Sequence, residues 1–241
     1  MNEPTVVLVH GAFADAASWT PVTQALLAAG HRVAAVPNHL RSLSGDAASV
    51  RRVVEAIDGP VLLVGHSYGG AVITVAGVAE NVVGLVYVAA YTPDEGESPA
   101  DMDARFPATS LRDHLVSLPT TDPANDQDVD LSVAPDAFLP VFAAGMDEET
   151  AAVLAVSQRP FAVAAYTEAA SAAAWKVKPS WGIVATADQT VQPEVERTGY
   201  QRAGFREVIE VDGPHLLMHT HPADVVRVVV RALSETAGHT D

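Results

Sequence analysis

Cysteine is absent from all 241 residues of the sequence. A chain without cysteine has no disulfide framework, no thiolate nucleophile and no cysteine-ligated zinc or iron–sulfur site. Long hydrophobic runs are absent as well, because no stretch reaches the roughly 18 apolar residues of a membrane span. The apolar run at residues 6–9 is too short for a secretory signal, and no basic residue precedes it. We therefore expect a cytoplasmic protein with no membrane partner.

Positive charge is scarce in this chain. Lys and Arg number 14 against 30 Asp and Glu, which gives a formal net charge of −16. Nucleic-acid backbones and anionic membrane surfaces repel such a chain, so we expect neither as its main partner. Hydrophobic residues make up 49% of the sequence and charged residues 18%, as in compact globular proteins. A chain of this length is expected to form one large domain, residues 1–241, with a substantial core.

Short apolar runs alternate with amphipathic stretches along most of the chain. The runs predict strands at residues 6–9, 33–36, 61–64, 82–89, 181–185 and 207–211. The spacing of apolar residues predicts one helix that begins near residue 20 and further helices at residues 46–57, 68–79, 162–174, 193–201 and 222–233. Near-continuously apolar strands that alternate with helices are typical of a parallel sheet covered on both faces. We therefore predict an α/β fold with a mainly parallel six-stranded sheet.

Residues 93–160 interrupt this alternation, because they carry no clear strand signal. Residues 94–150 hold 14 acidic and two basic side chains, which accounts for most of the net charge. The polar stretch 120–130 reads as a loop, and Asp147-Glu148-Glu149 predicts the start of a short helix. Large apolar side chains that require burial are interspersed: Met102, Phe106, Phe138, Phe142 and Met146. We predict an inserted helical lid, acidic outside and aromatic beneath, on a core formed by residues 1–92 and 161–241.

The segment Gly65-His66-Ser67-Tyr68-Gly69-Gly70 lies between a predicted strand and a predicted helix and fits the pattern G-x-S-x-G. The turn is too tight for side chains at Gly65 and Gly69, and it lifts the Ser67 hydroxyl above the sheet at the helix N-terminus. The bare pattern also arises by chance in glycine-rich turns, so its context between strand and helix carries the interpretation. We predict that Ser67 is a nucleophile.

A serine nucleophile needs backbone N–H groups that bind the oxyanion of its tetrahedral intermediate. His10-Gly11-Ala12-Phe13 follows the first predicted strand, and Gly11 allows the backbone to approach Ser67 closely. We expect the N–H groups of Ala12 and Tyr68 to form this oxyanion hole, with Phe13 as the alternative to Ala12.

A general base and an acid that orients it follow the last two predicted strands. Asp188 comes after the strand at 181–185, and His215 comes after the strand at 207–211. In a parallel sheet both lie at the same edge as Ser67. The chain order Ser, Asp, His matches a triad in which His215 takes the Ser67 proton and Asp188 fixes its tautomer. Asp94, just after the strand at 82–89, is the alternative acid.

Three histidines near the C-terminus, His215, His219 and His221, fit a spacing that some metal sites use. The dipeptide His221-Pro222 begins a predicted helix, so the three side chains do not share one helical face. No carboxylate has a matching spacing. We therefore predict no metal and no cofactor, and we interpret His66 as a buried structural side chain beside Ser67.

Together these motifs resemble the serine α/β-hydrolases, and within them the small esterase-like branch that includes plant methylesterases, hydroxynitrile lyases and bacterial esterases. The residues that carry the resemblance are 6–13, Trp19, 30–33, 65–70, 185–188 and His215. The resemblance implies the α/β-hydrolase fold. Ser67 stands where epoxide hydrolases and haloalkane dehalogenases of this fold carry Asp, and Leu216 stands where the related lyases carry Lys. We therefore expect none of these three activities.

The sequence predicts a serine hydrolase that cleaves a small to medium apolar carboxylic ester, lactone or thioester through an acyl-enzyme. Proximity to the motifs suggests six pocket residues: Phe13, Tyr91, Phe138, Phe142, Trp175 and Leu216. Two alternatives stay open at this point. The chain could be a hydrolase-like receptor that reports a bound small molecule, or a biosynthetic tailoring enzyme that uses the pocket for cyclisation or elimination.

Overall fold

The computed structural model describes residues 3–119 and 129–236. Its strands are β1 (Thr5–Val9), β2 (Val33–Val36), β3 (Val61–His66), β4 (Val82–Val88), β5 (Leu115–Pro119), β6 (Val129–Val133), β7 (Phe161–Ala162), β8 (Ser180–Ala185) and β9 (Glu207–Val211). Six of them form one sheet in the order β2-β1-β3-β4-β8-β9, and every pairing in it is parallel. The predicted six-stranded parallel sheet is confirmed.

The helices are α1 (Thr20–Ala28), α2 (Leu43–Ala56), α3 (Tyr68–Ala76), α4 (Pro99–Asp103), α5 (Pro135–Ala137), α6 (Glu148–Val156), α7 (Val163–Thr167), α8 (Pro193–Ala203), α9 (Leu217–Thr220) and α10 (Pro222–Thr236). Short 3₁₀ turns occupy Ala16–Trp19, Ser110–His114 and Ala174–Lys176, and a π-helical turn occupies Phe138–Phe142. Among the described residues, none of these helices is long and apolar enough to cross a membrane.

The central strands are buried along their whole length because helices cover both faces of the sheet. All residues of β1 and β3 are buried, whereas the edge strands β2 and β9 are partly exposed. Helix α10 packs against β4 and β8 and also contacts α1, while α3 packs against β3 and contacts α2. In register, Val9 lies beside Gly65 and Gly65 beside Tyr87, so the carboxyl ends of β1, β3 and β4 meet at one edge.

The segment between β4 and β8 differs from the sequence prediction in two places. We expected no strand in residues 93–160, but β5 and β6 pair antiparallel there, and β7 extends them to a three-stranded sheet. Apolar residues alternate along β6 at Val129, Leu131 and Val133, which is a strand period hidden among acidic neighbours. Most of the predicted loop at 120–130 lies outside the described residues.

The helix predicted at residues 162–174 ends at Thr167, so its second half is wrong. The chain then leaves the helix and pairs through its backbone with the loop after β4. Gly96 donates to the carbonyl of Ala170 at 2.8 Å, and Ala170 donates to the carbonyl of Glu97 at 2.9 Å. These tertiary hydrogen bonds override the helix propensity of an alanine-rich segment, which is only a weak preference.

The expected burial of large apolar side chains in the inserted segment is confirmed for three of the five. Met102, Phe138 and Phe142 are buried, whereas Phe106 and Met146 are only partly buried. Helix α6 begins where the acidic run predicted, and the Asp147 side chain caps it by accepting the N–H of Thr150 at 2.8 Å. The division of the chain into a core and a lid stays a prediction.

Candidate active site

Ser67 occupies a strained turn between β3 and α3. Its backbone has φ 54° and ψ −125°, a left-handed conformation that is costly for a residue with a side chain. The turn closes so tightly that a Cβ on Gly65 would lie 2.5 Å from the carbonyl oxygen of Gly69. A Cβ on Gly69 would lie 2.4 Å from the carbonyl oxygen of Val9. Both glycines are therefore required by close backbone contacts.

Asp188 and His215 form a buried hydrogen bond at the same edge of the sheet. His215 Nδ1 lies 2.6 Å from Asp188 Oδ2, and both side chains are 0% exposed. The other oxygen of Asp188 accepts the backbone N–H groups of Thr190 and Val191, at 2.6 and 3.0 Å. These bonds fix the carboxylate, and the carboxylate in turn holds the imidazole in the tautomer that carries its proton on Nδ1.

The second ring nitrogen of His215 is left as an acceptor. Nε2 is buried and has no hydrogen-bond partner among the residues that the structure describes. The ring of His66, the residue before Ser67, lies 4.5 Å from the His215 ring, centroid to centroid. The structure therefore brings Ser67, Asp188 and His215, three predicted site residues, to one edge of the sheet.

His66 supports this arrangement without carrying charge. Its Nε2 donates to the backbone carbonyl of His215 at 3.0 Å, which ties the loop after β9 to the end of β3. Complete burial, followed by the nearby His215, lowers the pKa of His66 well below its usual 6.5. A neutral ring at this position is what the interpretation of His66 as a structural side chain requires.

The loop after β1 approaches Ser67 closely. A Cβ on Gly11 would lie 2.7 Å from the Cβ of Ser67, so only glycine permits this approach. His10 fastens the loop, because its Nδ1 bonds the carbonyl of Gly11 at 2.9 Å and its Nε2 accepts the N–H of Asn38 at 2.8 Å. Burial lowers the pKa of His10 to about 4, so this clamp is neutral.

The two predicted oxyanion-hole residues line one cavity together with Ser67. Tyr68 is the first residue of α3, where a backbone N–H has no partner within the helix. The N–H of Ala12 donates no hydrogen bond to any of the described residues. Both donors are thus available beside Ser67. Phe13, the alternative to Ala12, has a positive φ of 61°.

This cavity has a volume of about 630 Å³. Three of the six predicted pocket residues, Phe13, Tyr91 and Phe142, line it. Phe138 and Leu216 instead line a separate small cavity, which shares Phe13 and Phe142 with the first. The remaining lining is mostly apolar and comes chiefly from α4, the segment after it, β5, β6, β7, α7 and the loop after β8.

Two of the residues named from the sequence lie away from the site. The prediction of Trp175 as a pocket residue is wrong, because its Nε1 donates to the carbonyl of Pro93 at 3.0 Å and its ring contacts Lys176 and Arg202. Asp94, the alternative acid, forms an ion pair with Lys176 instead of bonding His215. That ion pair lowers the pKa of Asp94 below its usual 3.8.

Glu196 is a site residue that the sequence prediction missed. Its place in the first turn of α8 is typical of an exposed acid that complements the helix dipole, but the side chain is 0% exposed. One oxygen accepts the N–H of Ala185 at 3.1 Å, and the carboxyl lies against that of Asp188. Burial, followed by the charge of Asp188, raises the pKa of Glu196 well above its usual 4.5. A neutral Glu196 has a proton to donate to Asp188.

Asp103 is a second acid that the sequence did not single out, because it is one of many in an acidic segment. It ends α4 and lines the cavity, where its Oδ2 accepts the hydroxyls of Tyr91 and Tyr166 at 2.7 and 2.6 Å. Burial raises the pKa of Asp103 above its usual 3.8. No group of three or more His, Asp or Glu side chains suited to a metal ion occurs in the described ranges.

Two curated relatives are similar to parts of this chain. A carbendazim hydrolyzing esterase from Nocardioides sp. (strain SG-4G) is 39% identical over 109 residues, which cover 38% of this chain and 44% of that protein. Methylesterase 8 from Arabidopsis thaliana is 33% identical over 125 residues, which cover 45% of this chain and 46% of that protein. The chain thus spans less than half the length of the curated relatives it matches.

Solved structures share the fold over nearly the whole chain. Polyneuridine aldehyde esterase superposes with a TM-score of 0.82 at 21% identity, covering 95% of this chain and 99% of the other. A pyrethroid hydrolase from Sphingobium faniae JZ-2 superposes with a TM-score of 0.74 at 18% identity, covering 98% and 99%. The model of the alpha/beta hydrolase family matches residues 6–228. With this match, this sheet order and this turn at Ser67, the chain belongs to the α/β hydrolase family.

Proposed function

We propose that the protein is a serine esterase that hydrolyses small to medium apolar carboxylic esters through an acyl-enzyme. The observation that carries the proposal is the buried pair of His215 and Asp188, joined at 2.6 Å, beside a cavity that opens onto Ser67. The names of the two curated relatives, an esterase and a methylesterase, point to the same reaction.

The reaction begins when the Ser67 hydroxyl attacks the ester carbonyl carbon and His215 Nε2 takes its proton. Asp188 stabilises the imidazolium that forms. The N–H groups of Ala12 and Tyr68 bind the oxyanion, and each donor contributes about 10²–10³ in rate. His215 then returns the proton to the departing alcohol, which leaves the acyl group on Ser67.

Water completes the cycle. His215 takes a proton from a water molecule, whose oxygen attacks the acyl carbon, and then protonates Ser67 as the carboxylic acid leaves. The net change is one ester and one water converted to one acid and one alcohol. A lactone or a thioester presents the same carbonyl geometry to Ser67 and fits the same sequence of steps.

The cavity supports a limit on substrate size. Its volume of about 630 Å³ lies within the ~300–1,000 Å³ of typical small-molecule pockets. Aromatic and aliphatic side chains such as Phe13, Phe142, Phe161 and Val163 form much of its wall. These contacts favour an apolar acyl or alcohol group over a sugar or a multiply charged ligand.

A panel of p-nitrophenyl acetate, butyrate, octanoate and laurate tests the proposal. We expect a burst of one equivalent of nitrophenol followed by steady turnover, best for the esters of intermediate length, and none with Ser67→Ala. A single burst without turnover contradicts the esterase and favours a receptor. Full activity of Ser67→Ala on a cyclisation or elimination substrate favours the tailoring enzyme.

A further inference from the structure

The wall of the substrate cavity contains one carboxylate, that of Asp103, among the lining residues that the structure describes. Two phenols hold it from one side: Oδ2 accepts the Tyr91 hydroxyl at 2.7 Å and the Tyr166 hydroxyl at 2.6 Å. The two rings meet edge to face with centroids 6.5 Å apart. The carboxylate is thus fixed in position on a packed aromatic support.

The other oxygen of Asp103 is available to a ligand. A carboxylate has about four acceptor sites, and the two phenols occupy sites on Oδ2 alone. Oδ1 makes no hydrogen bond to any residue in the described part of the chain. Asp103 is only partly exposed in the cavity wall, so water solvates its carboxyl poorly, and this burial raises its pKa. A poorly solvated acceptor in an apolar wall is satisfied best by a hydrogen-bond donor that carries positive charge.

The surroundings of Asp103 suit a protonated amine. Tyr91, Tyr166 and Phe106 line the same cavity, and aromatic rings attract a cation that lies over their faces. The net charge of −16 draws cations towards the protein. The only other charged lining residue in the described ranges is Arg112, which is exposed and forms no ion pair with Asp103 there.

The site is close enough to the catalytic machinery for one small substrate to reach both. Asp103 and Ser67 line the same cavity of about 630 Å³. Asp103 also lies close enough to Asp188 for the charge of that carboxylate to add to the rise in the pKa of Asp103. A molecule with its ester carbonyl at Ser67 can therefore place a second group at Asp103.

We propose that Asp103, supported by Tyr91 and Tyr166, binds a protonated amine of the ester substrate, so that the preferred substrates are otherwise apolar esters that carry one amino group. This inference rests on the proposed esterase function and deepens it. The amine N–H donates to Asp103 Oδ1, and the tyrosine hydroxyls keep the carboxylate oriented. No proton transfer to Asp103 is part of the reaction.

Two pairs of esters with matched shapes test the proposal. In the first pair, 2-(dimethylamino)ethyl butyrate carries a protonated amine in the alcohol group, and 3-methylbutyl butyrate is its neutral analogue. In the second pair, propyl 4-(dimethylamino)butanoate carries the amine in the acyl group, and propyl 5-methylhexanoate is its neutral analogue. We expect kcat/KM of the wild type to favour the amino ester in at least one pair by about 10–100-fold, the range of a hydrogen bond to a charged group.

Asp103→Asn separates recognition from structure. Its carboxamide oxygen still accepts both tyrosine hydroxyls, while an NH₂ group that repels the amine replaces Oδ1. We expect this variant to lose the preference, so that its kcat/KM for the amino ester falls by about 10–100-fold relative to its kcat/KM for the neutral ester of the same pair. Asp136→Asn is the matched control, because it removes the same charge from an exposed position of the same inserted segment. It is expected to keep the preference.

Three results would overturn the inference: no preference by the wild type in either pair, equal loss of both esters in Asp103→Asn, or equal loss of preference in the Asp136→Asn control. The wild-type comparison needs no variant, so a misfolded variant does not prevent the test. If the neutral esters are hydrolysed without an amine preference, this inference fails alone. If no ester is hydrolysed at all, the proposed function fails as well.

Discussion

Replacing Glu196 with glutamine is expected to change how the stability of the protein depends on pH. In the folded protein the Glu196 carboxyl is fully buried against Asp188, and burial raises its pKa well above the usual 4.5. The folded state therefore keeps this proton at pH values where the unfolded chain has released it. Linkage then requires that the free energy of unfolding falls as pH rises above about 4.5, until the pKa of the folded state is reached.

The size of the effect follows from the shift. Each unit of difference between the folded and unfolded pKa values corresponds to about 1.4 kcal/mol. The Glu196 contribution to the free energy of unfolding therefore declines between pH 5 and pH 8, by about 1.4 kcal/mol for each unit by which the folded pKa exceeds the unfolded one. Glutamine does not titrate, so Glu196→Gln gains that much stability relative to the wild type over the same interval.

Urea unfolding at pH 5, 6, 7 and 8, followed by the fluorescence of the three tryptophans, measures the difference. Glu194→Gln, an exposed carboxyl in the first turn of the same helix, controls for the change in net charge. The reasoning is refuted if the free energies of unfolding of Glu196→Gln and the wild type differ by the same amount at pH 5 and at pH 8.

Activity provides a second readout of the same residue. Glutamine keeps an oxygen for the Ala185 N–H and an NH₂ for Asp188, so Glu196→Gln is expected to retain near wild-type kcat/KM on p-nitrophenyl butyrate. Leucine keeps neither, and the loss of a hydrogen bond to a charged group predicts a fall of about 10–100-fold. Equal activity of the two variants would contradict a positioning role.

Three further substitutions have definite expectations. Asp188→Asn should lower kcat by about 10⁴, because a carboxamide stabilises the wrong tautomer of His215. A change confined to substrate binding in single-turnover kinetics would contradict this expectation. Gly69→Ala should lower the free energy of unfolding by about 1–3 kcal/mol in urea titrations, since its Cβ would lie 2.4 Å from the carbonyl oxygen of Val9; an unchanged midpoint would count against the tight turn. Asp94→Asn should leave kcat/KM within about twofold, as for other surface changes; a large loss would return Asp94 to the list of candidate acids.

Local sequence patterns were sufficient to predict the sheet and the turn that carries Ser67. The buried central strands are apolar almost throughout, so they were visible as short runs, and the alternation with helices indicated their parallel direction. The glycines around Ser67 were equally readable, because Gly11, Gly65 and Gly69 are each required by a backbone contact that any side chain would block.

What the sequence missed depends on contacts between distant segments. Strand β6 alternates apolar and polar residues, and pairing with β5 and with β7, about 30 residues later, determines that it forms a strand. Glu196 looked like a helix-dipole acid until the structure placed it against Asp188. No local feature of the sequence showed that the indole of Trp175 donates to the carbonyl of Pro93 and does not line the cavity. Neither propensity nor spacing carries such information.

The central claim is that Ser67 is a nucleophile activated by His215 beside a formed oxyanion hole. Incubation with a fluorophosphonate probe, followed by intact mass measurement of the wild type and of Ser67→Ala, tests it directly. The account predicts one covalent adduct per wild-type chain and none on Ser67→Ala. An unmodified wild type, or an adduct that persists on Ser67→Ala, would contradict it.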